Sequence, residues 1–181
     1  FTDPVFGTFK VDFNSLNLPV NSTSRESITI RNSADDRMTL KFADHRGIEL
    51  KNAIIEYFHE KNMRIEDLGP YELDPLDDAI DYSQKVSNAV LQNPENHLGI
   101  VICGSGCAVS MAANRIRGVR AGVAMNEDQA KHIRENDLCN VIALAADYTP
   151  LELACKLIEA FIAATPKTEE KYLRRIEKLD K

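Results

Sequence analysis

A doubly wound α/β fold, with a five-stranded parallel sheet covered by helices on both faces, is what this sequence predicts. Two observations carry the prediction. From Met38 onward short apolar runs alternate with amphipathic stretches, the pattern of βαβ units whose strands are buried on both sides. The amphipathic stretches also keep helical spacing: Leu50, Ile54, Ile55 and Phe58 share one face, as do Leu153, Leu157, Ile158 and Phe161.

The expected strands are 39–43, 64–67, 98–102, 118–124 and 140–145, with helices near 47–61, 79–92, 108–116, 127–136 and 150–164 and a charged last helix near 168–179. Residues 38–181 form one domain in this reading, and residues 1–37 an arm. In the arm Asn, Ser, Thr and Asp are frequent and no helical period is sustained. Phe6, Phe9, Val11 and Phe13 are expected to pack a short strand or turn, and Ile28 and Ile30 alternate as in a half-buried strand.

Composition narrows the function. A net charge of −6 argues against nucleic acid or an anionic membrane as partner, since both are met by an excess of Lys and Arg; a small anionic substrate needs only a few local cations. No apolar stretch approaches the roughly 20 residues that span a bilayer, and the N-terminus lacks a basic flank followed by an apolar segment. Cys103, Cys107, Cys139 and Cys155 lie in or beside apolar runs of a chain too large to depend on disulfides. Reduced thiols in a soluble, cytoplasmic protein are the expectation.

Right-handed crossovers align the C-terminal ends of the strands along one edge, where ligands of open α/β sheets bind. The third strand runs there into Cys103-Gly104-Ser105-Gly106-Cys107-Ala108. Glycines permit a tight turn with several N–H groups facing inward, and the helix that follows adds its positive end, so the loop favours developing negative charge. It is not a Walker loop, for no Gly-Lys-Ser/Thr follows, nor a dinucleotide fingerprint, for Val109 occupies the third glycine position. Nor does it have the C-x₅-R spacing of cysteine phosphatases. A cysteine opening such a loop can serve as nucleophile or base; the competing reading is a small buried residue beside a turn. The first strand ends in Asp44-His45-Arg46-Gly47. Taken alone, Asp44 reads as a helix cap and His45 as a turn residue, but both are acid–base groups on the edge that carries the thiol loop.

Asp44-His45-Arg46-Gly47, Ile102-Cys103-Gly104-Ser105-Gly106, Ala112-Ala113-Asn114-Arg115, Gly118-Val119-Arg120-Ala121 and Asn140-Val141 together resemble ribose-5-phosphate isomerase B and its relatives, the galactose-6-phosphate isomerase subunits among them. The resemblance runs from about residue 38 to the C-terminus. It implies an aldose–ketose isomerase without metal or other cofactor, a homodimer with sites between subunits, in some assemblies a dimer of dimers. By position Cys103 is then the base of a cis-enediolate mechanism, with Ser105, where the family commonly has Thr, and Asp44 beside it. The Gly104, Gly106, Cys107 and Ala108 backbone would hold the enediolate, and His45 and Asn114 would contact substrate. Lys171 and Arg175 stand where the family clamps phosphate between two arginines.

Two departures stand out. In Arg134-Glu135-Asn136-Asp137-Leu138-Cys139-Asn140-Val141 the family reads R-x-H-N-D-x-N-V, so Asn136 replaces the histidine that opens the sugar ring and Asp137 the neighbouring Asn. His132, one helical turn earlier on the same face, occupies an apolar position of the family and is expected in the core. The family's Asp-Tyr-Pro turn is Asp78-Ala79-Ile80 here, although Asp81-Tyr82 is kept. The expected function is therefore isomerisation of a sugar phosphate, ribose 5-phosphate or a related one. The alternative is a non-catalytic sugar-phosphate-binding protein or one subunit of a heteromeric isomerase. A thiol hydrolase or redox role ranks below both, because Cys103 and Cys107 lack C-x-x-C spacing and no Cys–His–acid order is evident. The four histidines form no close ligand pair, and His59 and His97 are read as solvated groups on a helix and a loop.

Overall fold

The computed structural model describes residues 2–3, 7–8, 38–44, 48–72 and 76–180, in two compact units, Phe1–Asn32 and Ser33–Lys181. In the first, β1 (Thr2–Asp3) and β2 (Gly7–Thr8) pair antiparallel. The packing expected of Phe6, Phe9, Val11, Phe13, Ile28 and Ile30 lies outside the described residues.

In the second unit β3 (Thr39–Asp44), β4 (Arg64–Asp67), β5 (His97–Cys103), β6 (Ala121–Val123) and β7 (Val141–Ala145) form one parallel sheet in the order β4-β3-β5-β7-β6. Between and after them run α1 (Ile48–Glu60), α2 (Ala79–Gln92), α3 (Cys107–Ala113), α4 (Glu127–Asn136), α5 (Leu151–Ala163) and α6 (Glu170–Leu179). The chain leaves β3 toward one side and returns to the other side with β5, so the strand order reverses between these two. The reversal puts the ends of β3 and β5 side by side.

Side-chain alternation along β5 splits the core in two. Leu98, Ile100 and Ile102 face α1 and α5, where Ile54, Phe58, Leu157, Ile158 and Phe161 are buried. Val101 and Cys103 face α2 and α3, among Val86, Val90, Val109 and Ala113. Each large apolar side chain fully buried here contributes about 1.5–3 kcal/mol, so the two helical stripes read from the sequence hold one face of the sheet.

Local chemistry sets the element ends. Asp78 caps α2 by accepting from Ile80 N at 3.0 Å. Asn126 caps α4 by accepting from Gln129 N at 2.8 Å, and Gln129 Oε1 reaches back to accept from Met125 N at 2.9 Å, a reciprocal box. Two expectations needed correction. The fourth strand of the sheet is shorter than 118–124, because Asn140 takes its first backbone groups: Asn140 Oδ1 accepts from Arg120 N and Nδ2 donates to Gly118 O, each at 2.9 Å. The third helix starts at Cys107 and stops at Ala113 rather than spanning 108–116, since Asn114 turns its carboxamide onto Ala121. Among the described residues no helix is long and apolar enough to cross a membrane.

Candidate active site

The first half of the site lies where β3 and β5 end. Cα pairing sets Asp44 opposite Ile102, one residue short of Cys103, and Cys103 opposite Ala145 of β7. Beyond Cys103 the chain is tied to β7 by its carbonyls: Ala146 N donates to Cys103 O at 2.9 Å and Asp147 N to Gly104 O at 3.1 Å. Gly106 then turns the chain into α3 with φ +73°, and a Cβ there would come within 3.2 Å of the Leu144 carbonyl carbon. Only glycine meets both demands. Ser105 Oγ accepts from Cys107 N at 3.3 Å. Among the described residues no protein acceptor takes the N–H groups of Ser105, Gly106 or Ala108, so these donors remain open to an anion at the helix start.

Cys103 itself is 6% exposed and packs among Ala79, Val86, Val109 and Ala113. The loop beyond it, with Ser105, Cys107 and Ala108, is exposed. Leu68 and Tyr82, which pack against the same cluster, also wall a hollow of about 420 Å³ together with Pro70, Tyr71 and Lys85. The Asp44 side chain and all of His45 lie outside the described residues.

The remaining predicted residues lie elsewhere. α4 runs back along the sheet, antiparallel to its strands, and delivers Asn136 and Asp137 to the edge where β6 and β7 begin. There Asn136 Oδ1 accepts from Lys167 Nζ at 2.6 Å, and Asn136 Nδ2 lies 2.8 Å from His132 Nε2 and 2.9 Å from its Nδ1. His132 is exposed, which corrects the expectation of a core residue: it points out from α4 toward Asn136, whereas Ala130 fills the buried face. Lys167 Nζ, Lys171 Nζ and the Arg175 guanidinium all lie 4.7–5.8 Å from the centre of the Tyr172 ring. Among the described residues neither Lys171 nor Arg175 has a carboxylate within ion-pair distance. Asp137 is exposed and shares a second hollow, of about 430 Å³, with Asn114, Arg120 and Leu179.

Asn114 is committed to the fold. Its Oδ1 accepts from Ala121 N at 2.8 Å and its Nδ2 donates to Ala121 O at 2.9 Å, closing the outer edge of β6 as a neighbouring strand would. One chain therefore collects the thiol loop and the end of β3 at one edge, and Asn114, Asn136, Asp137, Lys171 and Arg175 at the other.

Residues 42–179 match the family model described as Ribose/Galactose Isomerase. The chain belongs to the ribose/galactose isomerase family. It is 38% identical over 122 residues to a probable ribose-5-phosphate isomerase B of Mycoplasma pneumoniae, covering 67% of this chain and 80% of that one. The crystal structure of ribose-5-phosphate isomerase B from Mycoplasma genitalium with bound ribulose 5-phosphate superposes with a TM-score of 0.75 at 33% identity, over 79% of this chain and 94% of that one. A D-erythrulose-4-phosphate isomerase of Pectobacterium atrosepticum is 30% identical over 125 residues, 67% of this chain and 80% of that one. The isomerase is thus an enzyme of the sugar-phosphate class.

Two positions that brace the surroundings of the site escaped the reading of the sequence. Lys51 sits in the isomerase's first helix next to the apolar stripe, yet is 0% exposed. Its Nζ donates to both oxygens of Asp67, at 2.8 and 2.7 Å, and to Pro70 O at 2.8 Å, pinning the loop that walls the first hollow. A charge beside an apolar stripe was the available signal. Lys167 gave none: it stands in an ordinary Pro-Lys-Thr turn. His97, expected on a loop, instead opens β5, half-buried, with Nδ1 2.8 Å from Ala89 O.

Proposed function

We propose that the isomerase interconverts an aldose phosphate and its ketose, ribose 5-phosphate and ribulose 5-phosphate or a close relative, through a cis-enediolate with Cys103 as the base. The Cys103 thiolate takes the proton from C2 and returns it to C1. The electron pair left behind spreads onto the substrate oxygens, where the open N–H groups of the Ser105–Ala108 turn meet the charge. In this reading Ser105 and Asp44 pass the hydroxyl protons, His45 contacts substrate, and the chemistry calls for no metal ion. The observation that carries the proposal is the open-donor turn immediately beyond a strand-end cysteine at the point where strand order reverses. Its cysteines are free, as a cytoplasmic enzyme of this kind requires.

The same proposal assigns the site to a homodimer. Lys171 and Arg175 are the cations suited to phosphate, and they lie at the edge opposite Cys103, so a complete site needs a second copy to bring that edge to the thiol loop. Exposed Met111, Met125, Tyr148 and Leu151 lie on or beside the strand-end edge and supply apolar surface for the contact.

The test is conversion of a panel of aldose phosphates by the pure protein, followed by NMR. Cys103→Ala should lower kcat by about 10²–10⁴-fold, the range for a lost acid–base group. Assayed well below KM, a one-to-one mixture of Cys103→Ala and Arg175→Ala chains should reach about a quarter of the wild-type activity by random re-pairing of a twofold dimer, several times what the weakened Arg175→Ala chain supplies by itself; no gain over the separate chains would place the whole site in one chain. Asn136 in place of histidine favours a second reading, a binding or partner subunit. Conversion without any added partner would exclude it.

A further inference from the structure

We propose that His132 is the group that opens the furanose ring of the substrate, oriented by Asn136 and Lys167; the proposal rests on the isomerase reading above. The motive is a chain of contacts that the fold assembles from two segments. Lys167, on the turn after α5, is held to α4 by its own N–H, which donates to Glu135 O at 2.9 Å. Its ammonium can only donate, so Asn136 must present Oδ1 to it and is left with Nδ2 facing His132. Nδ2 lies almost equally close to both imidazole nitrogens, 2.9 Å from Nδ1 and 2.8 Å from Nε2, so the carboxamide holds the imidazole in place without choosing between them. His132 is thereby an exposed imidazole of fixed position, the side-chain type best suited to exchange a proton near neutral pH.

Location completes the argument. Lys167 lies 5.4 Å from the centre of the Tyr172 ring, the ring that Lys171 and Arg175 also approach, at 4.7 and 5.8 Å. The imidazole therefore belongs to the same polar cluster as the cations assigned to the phosphate. A sugar phosphate anchored there carries its ring next to His132. Glu135 Oε2 lies 3.7 Å from Lys167 Nζ, so the charge of Lys167 is partly met inside the cluster and its role is to position.

The step balances without a redox partner. The protonated imidazole delivers a proton to the ring oxygen as the C1–O bond breaks, and that bonding pair stays on the oxygen. The O–H pair of the anomeric hydroxyl becomes the second C–O bond of the aldehyde. The hydroxyl proton passes to water, and water returns one to the imidazole. A four-carbon aldose phosphate cannot close a furanose through its phosphorylated terminal oxygen, so it needs no such step.

The two substrate sizes provide the test. Wild type and His132→Asn are assayed by NMR on ribose 5-phosphate and on erythrose 4-phosphate. The kcat ratio of the five-carbon to the four-carbon substrate should fall at least thirtyfold in His132→Asn, and KM for either should move less than threefold. His132→Ala/Asn136→His, which supplies an imidazole one turn later, should recover at least a third of the lost ratio. An unchanged ratio in His132→Asn, or a wild type that converts only the four-carbon sugar, overturns the role of His132 and leaves the isomerase reading standing. A wild type that converts neither overturns both.

Discussion

The two edges of the sheet are built in opposite ways. At the strand-end edge the polar surface is made by backbone: a turn of glycines, donors left open at the start of α3, and a thiol backed by Val86, Val109 and Ala113. At the opposite edge it is made by side chains: three cations around Tyr172, a carboxamide relay to His132, and Asn114 closing β6. A backbone device depends on conformation and tolerates almost no change in the residues that bend it. A side-chain device depends on charge and reach, so its members can be exchanged or displaced by a helical turn, which is what the roles proposed for Lys171 and His132 require.

The sharpest way to break the comparison is at Gly106. A side chain there meets Leu144 backbone at 3.2 Å and must hold φ +73°, so Gly106→Val should cost about 1–3 kcal/mol of stability and lower kcat far more than that loss alone explains. Urea unfolding read beside single-turnover kinetics checks both. If kcat follows stability alone, the turn is structural. At the other edge Arg175→Ala should raise KM about tenfold, the worth of a charge-assisted contact near 1.4 kcal/mol, with kcat changed less than threefold; a fall in kcat with KM unmoved would take the residue out of phosphate binding.

A smaller effect sharpens the boundary between fold and site. Asn114→Ala opens the two bonds to Ala121 and should cost about 1 kcal/mol, with faster amide exchange at Ala121 and KM unchanged; a tenfold rise in KM would return Asn114 to the substrate. Smallest of all is the effect of a bulky alkylating reagent on the folded chain. Burial pushes the Cys139 thiol up to about 12 and the Cys155 thiol up to about 11, and Cys107 is exposed. Peptide mapping should find Cys107 modified first, and modification of Cys139 before unfolding would show that the helix over it opens.

Much of the molecule is legible in the residues because it depends on local pattern. Leu153, Leu157, Ile158 and Phe161 read as a core face and are one; Gly106 reads as a turn and takes a positive φ. Strand ends were legible only to a few residues, since the start of β6 is decided by Asn140, a side chain twenty residues from Arg120. The thiol loop was legible as a glycine turn into a helix start, whereas the sequence left a buried Cys103 and an exposed one both open, because the α2 residues that cover it come from a distant part of the chain.

By itself the sequence determined the order of strands and helices, the glycine turn and its cysteine, and the family, because periodicity, steric freedom and motif spacing are properties of neighbouring residues. Only the tertiary structure decided that the predicted site residues divide between two edges, that Asn114 seals a strand, and that His132 stands exposed in contact with Asn136, which Lys167 holds. Those facts depend on which way each helix runs along the sheet and on contacts across long separations, and hydrogen-bond partners of that kind are chosen by the fold as a whole.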